Sequence, residues 1–243
     1  MAVELINYRA GDTALRGALV YDERTTDRRP LLLMAPNWLG VTDEAIARTR
    51  TMAGDKYIAF VVDMYGAGTT VSSPSEAAPL ANALRADPLE RRRRIGAAFD
   101  ALARESERRG IGDLGRRSAV GFCFGGGNVL ELARAGADLQ AVVCLHGDLI
   151  TQLPAKTGDI RASLLVLHGS RDPVVPKGDR DVFEAEMDAA GVNWQMLTFG
   201  GLVHSFCETE AKVPGVSEYN EAAARQSYRL LDQYIPDAFN GRL

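Results

Sequence analysis

Residues 116–133, with the sequence RRSAVGFCFGGGNVLELA, decide the fold, because here an apolar run meets a helical pattern at a cysteine placed between glycines. The spacing Gly121-Phe122-Cys123-Phe124-Gly125 is typical of a sharp strand–turn–helix elbow with a nucleophile at its centre. Only small residues fit two positions before and after that centre. The pattern predicts an exposed thiol at a helix N terminus, where a thiolate is favoured.

Outward from this elbow, short apolar runs alternate with helical patterns along the whole chain. This alternation predicts an α/β protein with a mostly parallel central sheet and helices on both faces. No internal repeat or composition shift marks a boundary, so we expect one domain over residues 1–243. Thr42 is expected to cap one helix, and Asp87-Pro88-Leu89-Glu90 is expected to start another. The segment 66–86 is predicted to be a loop with at most a short helix, bordering the pocket and influencing selectivity.

The composition argues against a nucleic-acid-binding protein and against a membrane protein. The chain has 243 residues and a net charge of −4, which argues against nucleic acid as a partner. Its apolar runs fall short of the roughly 20 residues that cross a bilayer, so no membrane association is expected. Three cysteines without a pairing pattern favour free thiols and a cytoplasmic location. The surface pattern leaves both a monomer and a homodimer open.

Four reactive side chains are predicted to gather at one edge of the sheet. His146, His168, His204 and Cys123 all lie at or just past the ends of predicted strands, and ligands bind at the carboxyl ends of parallel strands. Asp172 follows one later strand and His204 follows the last one, in the order nucleophile, acid, histidine. We therefore predict that Cys123, Asp172 and His204 are catalytic, with His204 moving the proton and Asp172 orienting its ring.

Two backbone amides are expected to bind the developing oxyanion. One belongs to Phe124, the residue after the nucleophile, and the other to Trp38 in the loop NWLG. Each such donor contributes about 3 kcal/mol to the transition state. Asn37, Trp38 and His146 are further predicted to contact the substrate.

Other polar residues have competing interpretations. Asp63 and Asp148 are rival acids in less suitable positions, and Asp63 is expected to tether its loop. His168 is expected to make a structural hydrogen bond, while Cys144 and Cys207 are expected to pack in the interior. No metal-ligand or dinucleotide spacing is present, so neither a metal nor a cofactor is predicted.

The segments GFCFGG, HGSRDPVVP and HSF, with APNWLG and VVDMYG before them, resemble the dienelactone hydrolase family of α/β-hydrolases over nearly the whole chain. The resemblance implies the α/β-hydrolase fold and a triad of Cys123, Asp172 and His204. Two positions depart from the family pattern, which has a glutamate that gates the thiol where Asn37 stands and a carboxylate-binding arginine where Glu208 stands. Because a carboxylate at 208 would repel an anionic lactone, dienelactone itself is not the expected substrate.

The sequence thus predicts a hydrolase of small activated esters or lactones that forms an acyl-thioester. A general carboxylesterase or a thioesterase is the alternative within enzymes. A non-catalytic ligand-binding protein on the same fold is the alternative from another class.

Overall fold

A computed structural model describes residues 1–243, which form two compact units, Met1–Ala119 and Val120–Leu243. The single domain over 1–243 therefore stays a prediction. No helix in either unit combines the length and the apolar character that a membrane crossing needs.

The strands of the N-terminal unit are ordered β1-β2-β4-β3-β5. β1 (Ala2–Ala10) and β2 (Thr13–Tyr21) form an antiparallel hairpin. β4 (Ile58–Val61) pairs antiparallel with β2 and parallel with β3 (Arg29–Ala35). All of β4 and most of β3 are buried, as expected for short continuous apolar runs. β5 (Gly112–Phe122) begins in this unit and ends in the next.

Local capping signals start the helices of this unit. In α1 (Asp43–Ala53) the Thr42 hydroxyl accepts a hydrogen bond from the Ala45 amide at 3.1 Å. In α3 (Pro88–Arg108) the Asp87 carboxylate accepts one from the Glu90 amide at 3.0 Å. Both starts agree with the sequence-based predictions.

The loop predicted over 66–86 is wrong for most of its length. Pro74–Ala86 form a helix of 13 residues, α2. Ser73 caps it, Pro74 occupies the first turn, and the small apolar face of Ala77, Ala81 and Leu84 is buried. These residues are spaced four and three apart, so the helical signal was present but was outweighed by the Ser, Pro and Gly content of the segment.

The strands of the C-terminal unit are ordered β5-β6-β7-β8. β6 (Ala141–Leu145), β7 (Ser163–Gly169) and β8 (Trp194–Phe199) pair in parallel. The helices are α4 (Phe124–Arg134), α5 (Lys177–Ala190) and α6 (Glu221–Phe239). A short antiparallel hairpin, β9 (Lys212–Val213) and β10 (Ser217–Glu218), lies between β8 and α6.

The eight strands β1–β8 thus make a mixed, mostly parallel sheet interspersed with helices. This is the α/β architecture that the sequence predicts.

Candidate active site

The turn between β5 and α4 carries Cys123 in a strained conformation. The exposed thiol predicted from the sequence is wrong, because the turn buries Cys123 to 8% exposure. Cys123 has φ 52° and ψ −121°, a region that residues with a side chain rarely adopt, and it precedes the first residue of α4. A Cβ atom on Gly121 would lie 2.1 Å from the Gly125 carbonyl oxygen. Only glycine therefore fits two positions before the cysteine, as predicted from the elbow spacing.

The start of α4 also approaches the turn that follows β6. A Cβ atom on Gly126 would lie 2.7 Å from Cα of Gly147. This contact is the physical reason for a glycine at position 126. The amides of Gly126 and Gly127 donate to the Cys123 carbonyl at 2.9 and 3.4 Å, and the helix dipole is positive at this end. The N terminus of α4 thus presents a favourable environment for an anion beside the thiol, and the Phe124 amide belongs to this first turn.

The predicted acid and histidine are in contact. Nδ1 of His204 donates a hydrogen bond to Oδ2 of Asp172 at 2.7 Å. Oδ1 of the same carboxylate accepts from the amides of Val174 and Val175 at 2.8 and 3.0 Å. The backbone of the loop after β7 therefore fixes the carboxylate that orients the imidazole.

Cys123 also interacts electrostatically with the His204 ring. Nε2 of His204 is buried and has no nitrogen or oxygen partner. Burial, the largest single influence, lowers the pKa of His204. The charge and hydrogen bond of Cys123, together with those of Asp172, outweigh it and raise the pKa well above its ordinary value of 6.5. The site therefore favours the imidazolium form of His204 beside the Asp172 carboxylate.

The β9–β10 hairpin holds the backbone of His204 from both sides. The His204 amide donates to the Val216 carbonyl at 3.1 Å, and the Glu218 amide donates to the His204 carbonyl at 3.1 Å. Sequence reasoning missed this support, because the two strands are only two residues long each.

A second buried histidine lies beneath Cys123. The Cys123 amide donates to Nδ1 of His146 at 3.2 Å, and Oε1 of Glu208 lies 3.9 Å from the same nitrogen. His146 has no exposed surface, so the structure does not favour its predicted contact with substrate, which stays a prediction. Glu208 is also buried.

Backbone strain in the chain is concentrated at this site. Three residues other than glycine have positive φ: Cys123 at 52°, His146 at 40° and Ser205, directly after His204, at 57°. Such conformations persist only where surrounding contacts impose them, and they cluster at functional sites.

Two of the competing residues, His168 and Asp63, make structural contacts. Nε2 of His168 contacts the Val175 carbonyl at 3.0 Å, and burial lowers the pKa of this histidine, which keeps its ring neutral. The Asp63 carboxylate accepts hydrogen bonds from the amides of Arg16, Tyr65 and Gly66, as its predicted tethering role requires.

Asn37 and Trp38 lie in the N-terminal unit, in the turn after β3. The Asn37 side chain accepts a hydrogen bond from the Leu39 amide at 3.0 Å, and the Tyr65 hydroxyl donates to the Trp38 carbonyl at 2.7 Å. Both residues are half-buried. Their expected roles toward substrate and oxyanion stay predictions.

Comparisons with known proteins identify the family of this chain. A model of the dienelactone hydrolase family matches residues 15–237. The solved structure named m3DLH is 33% identical, with a TM-score of 0.91 and 98% of each chain covered. A dienelactone hydrolase-like promiscuous phosphotriesterase from metagenomic libraries is 32% identical, with a TM-score of 0.88 and the same coverage. A carboxymethylenebutenolidase homolog of Mus musculus is 27% identical over 119 residues, which are 48% of each chain.

Proposed function

We propose that this chain, which belongs to the dienelactone hydrolase family, hydrolyses small activated esters or lactones with Cys123 as nucleophile, His204 as proton carrier and Asp172 as orienting acid. The family makes the chain a hydrolase of esters or lactones. The three roles and the acyl-thioester are our proposal. The single observation that carries it is the hydrogen bond of 2.7 Å between Asp172 and the His204 imidazole, and the influence of Cys123 on the pKa of that ring supports it.

The proposed reaction has two halves. The Cys123 thiolate adds to the substrate carbonyl, and the C=O electron pair moves to oxygen. The pair then returns, the C–O bond breaks, and the departing alkoxide takes the proton from His204. Water gives a proton to the now neutral His204 and adds to the thioester. The acid departs and the thiolate–imidazolium pair is restored.

The N terminus of α4 supports the oxyanion in this scheme. The Phe124 amide follows the nucleophile directly, at the end of the helix where the dipole favours negative charge. Loss of one such donor costs about a hundredfold to a thousandfold in rate. We propose the Trp38 amide as the second donor.

A thiol nucleophile limits the substrate class. In the tetrahedral intermediate a thiolate departs more readily than an amine or a simple alkoxide, so amides would revert to starting material. Enol lactones, aryl esters and thioesters have stable leaving groups and would proceed. The buried carboxylate of Glu208, whose Oε1 lies 3.9 Å from His146, favours neutral acyl groups over anionic ones.

A substrate screen tests the proposal. Turnover is measured on aryl esters, lactones and thioesters, with a phosphate triester added because one relative is described as a phosphotriesterase. We expect Cys123→Ala to lose at least about a thousandfold in kcat. Cys144→Ala, which removes another buried thiol, should keep the rate within about threefold.

Each outcome of the screen is informative. Full activity of Cys123→Ala would reject the nucleophile assignment. One equivalent of released phenol without further turnover would reject the enzyme in favour of a ligand-binding protein. A preference for thioesters or for simple alkyl esters would favour a thioesterase or a general carboxylesterase.

A further inference from the structure

We propose that His146 is a positioning residue for the nucleophile, because its Nδ1 accepts a hydrogen bond from the Cys123 amide and so fixes the elbow from beneath. The proposal rests on the proposed role of Cys123. It assigns to His146 a task other than the substrate contact expected from its position in the sequence.

The hydrogen bond joins two strained residues that lie 23 positions apart. The Cys123 amide lies 3.2 Å from Nδ1 of His146 and 3.0 Å from the Leu145 carbonyl, so consecutive residues at the end of β6 supply both acceptors. The His146 amide is itself bound to the Leu167 carbonyl of β7 at 2.8 Å. His146 has a positive φ of 40°, and the hydrogen bond of its amide to β7 supports this conformation.

The contact defines the protonation state that His146 needs. A nitrogen that accepts a hydrogen bond carries a lone pair, so the ring proton must be on Nε2 and the ring must be neutral. In an imidazolium, Nδ1 would carry a proton, and its N–H group would face the N–H group of Cys123. The ring would then turn toward Glu208, whose Oε1 lies 3.9 Å from Nδ1. The shorter distance to the amide favours the neutral form.

The surroundings of the ring limit its freedom. The rings of His204 and Phe206 pack edge-on against it, with centroids 5.2 Å away in each case. The titratable groups close to His146 include His204, Glu208 and Cys123. Because two of these carry the proposed ion pair, a neutral His146 leaves that pair undisturbed.

This position connects His146 to catalysis without substrate contact. The Cys123 amide is one residue before the Phe124 amide, so a shift of the elbow displaces the thiol and an oxyanion donor together. A misplacement of about 1 Å can reduce the rate about a hundredfold. Since the His146 side chain has no exposed surface, its loss should reduce kcat and leave KM almost unchanged.

Two substitutions separate positioning from packing. His146→Leu keeps an apolar side chain in the core but removes the acceptor. His146→Asn retains an acceptor oxygen near the place of Nδ1, and asparagine tolerates positive φ. As a control for core destabilisation, Phe183→Leu alters a fully buried side chain that packs on Trp194 in the same unit.

The measurement is the rate of the acylation burst with p-nitrophenyl acetate, with KM and the melting temperature recorded for each variant. We expect His146→Leu to slow the burst about a hundredfold with KM within about twofold, and His146→Asn to recover it to within about fivefold. Phe183→Leu should lower the melting temperature and keep the burst rate.

Other results would overturn the inference. They are an unchanged burst in His146→Leu, an equal loss in both His146 variants, or an effect confined to KM. The ¹⁵N NMR signals of the wild-type imidazole give an independent test that needs no variant: we expect an unprotonated Nδ1 at every pH where the enzyme is active, and an imidazolium there would contradict the proposal. The Cys123→Ala control distinguishes failure of the His146 inference from failure of the proposed function, because an active Cys123→Ala would contradict the proposed function itself.

Discussion

Asp172 binds His204 with one carboxylate oxygen, at 2.7 Å from Nδ1, while its other oxygen accepts two backbone amides of its own loop. The backbone of its own loop therefore holds the carboxylate in place, independently of its contact with the imidazole. Burial raises the pKa of Asp172, but hydrogen bonding and the charge of His204 outweigh it and hold this pKa below its ordinary value.

Asp172→Asn should therefore change stability in a defined pH window. A lowered pKa of Asp172 stabilises the fold above about pH 3.8, and this contribution is lost as the pH falls. A raised pKa of His204 stabilises the fold below about pH 6.5, and this contribution is lost as the pH rises through the pKa of the folded state. The free energy of unfolding that Asp172→Asn removes should be greatest between these two pH values. Urea unfolding of both proteins from pH 3 to pH 9 measures it, and a cost that does not vary with pH would contradict the assignment.

The same substitution should lower the pKa of His204. The asparagine side chain would keep a hydrogen-bonding group beside the ring but lose the negative charge. An NMR titration of the imidazole should therefore move toward its ordinary value of 6.5. An unchanged titration would show that Asp172 has no electrostatic effect on the ring.

Cys123→Ser should lose at least about a hundredfold in kcat, although serine is nearly isosteric. Cys123 contributes to the raised pKa of His204, and a serine hydroxyl does not ionise near neutral pH. A pH profile of turnover should show the loss at every pH below about 9. Equal rates for serine and cysteine would indicate that no thiolate–imidazolium pair forms.

Glu208→Gln should change the selectivity for substrate charge. The Glu208 carboxylate is buried and lies no more than about 7 Å from the Cys123 amide through their shared contact with His146, a distance at which charge repulsion is strong in a protein interior. We expect the ratio of kcat/KM for p-nitrophenyl acetate to that for mono-p-nitrophenyl succinate to fall about tenfold.

Asp181→Asn is the matched control, since it removes an exposed carboxylate from α5 in the same unit. It should leave that ratio unchanged. Equal effects of the two substitutions would indicate a change in net charge rather than a local interaction of Glu208.

Gly121→Ala should destabilise the fold by at least about 2 kcal/mol, because the added Cβ would overlap the Gly125 carbonyl and displace the start of α4. Gly96→Ala is the matched control in α3, where nothing lies within 4 Å of an added Cβ. In the helix interior that change should stabilise by about 0.5–1 kcal/mol. Urea unfolding of both variants compares them, and a stable Gly121→Ala would show that the elbow is looser than its geometry implies.

The spacing of residues in the sequence determined several local features of this structure. The glycines around Cys123 predict the elbow, the residues Thr42 and Asp87 predict two helix starts, and the order of Asp172 and His204 after the nucleophile predicts their contact. The elbow and the helix starts depend on residues that are neighbours in the chain. The contact between Asp172 and His204 depends on the strand order, and parallel sheets allow only a few such orders. The loop predicted in place of α2 was wrong, because Ser, Pro and Ala suit both a loop and a capped helix. The exposed thiol predicted at Cys123 was also wrong, because the surrounding structure buries it.

Tertiary structure decided the surroundings of that contact. The hydrogen bond from Cys123 to His146, the approach of Glu208 to the same ring, and the hairpin that holds His204 join residues whose spacing in the sequence has no period. Side-chain direction at β6 depends on a positive φ at His146 that the residue type alone does not require. Sequence therefore specified which groups could react, and the packing of distant segments specified the charge and the hydrogen bonds around them.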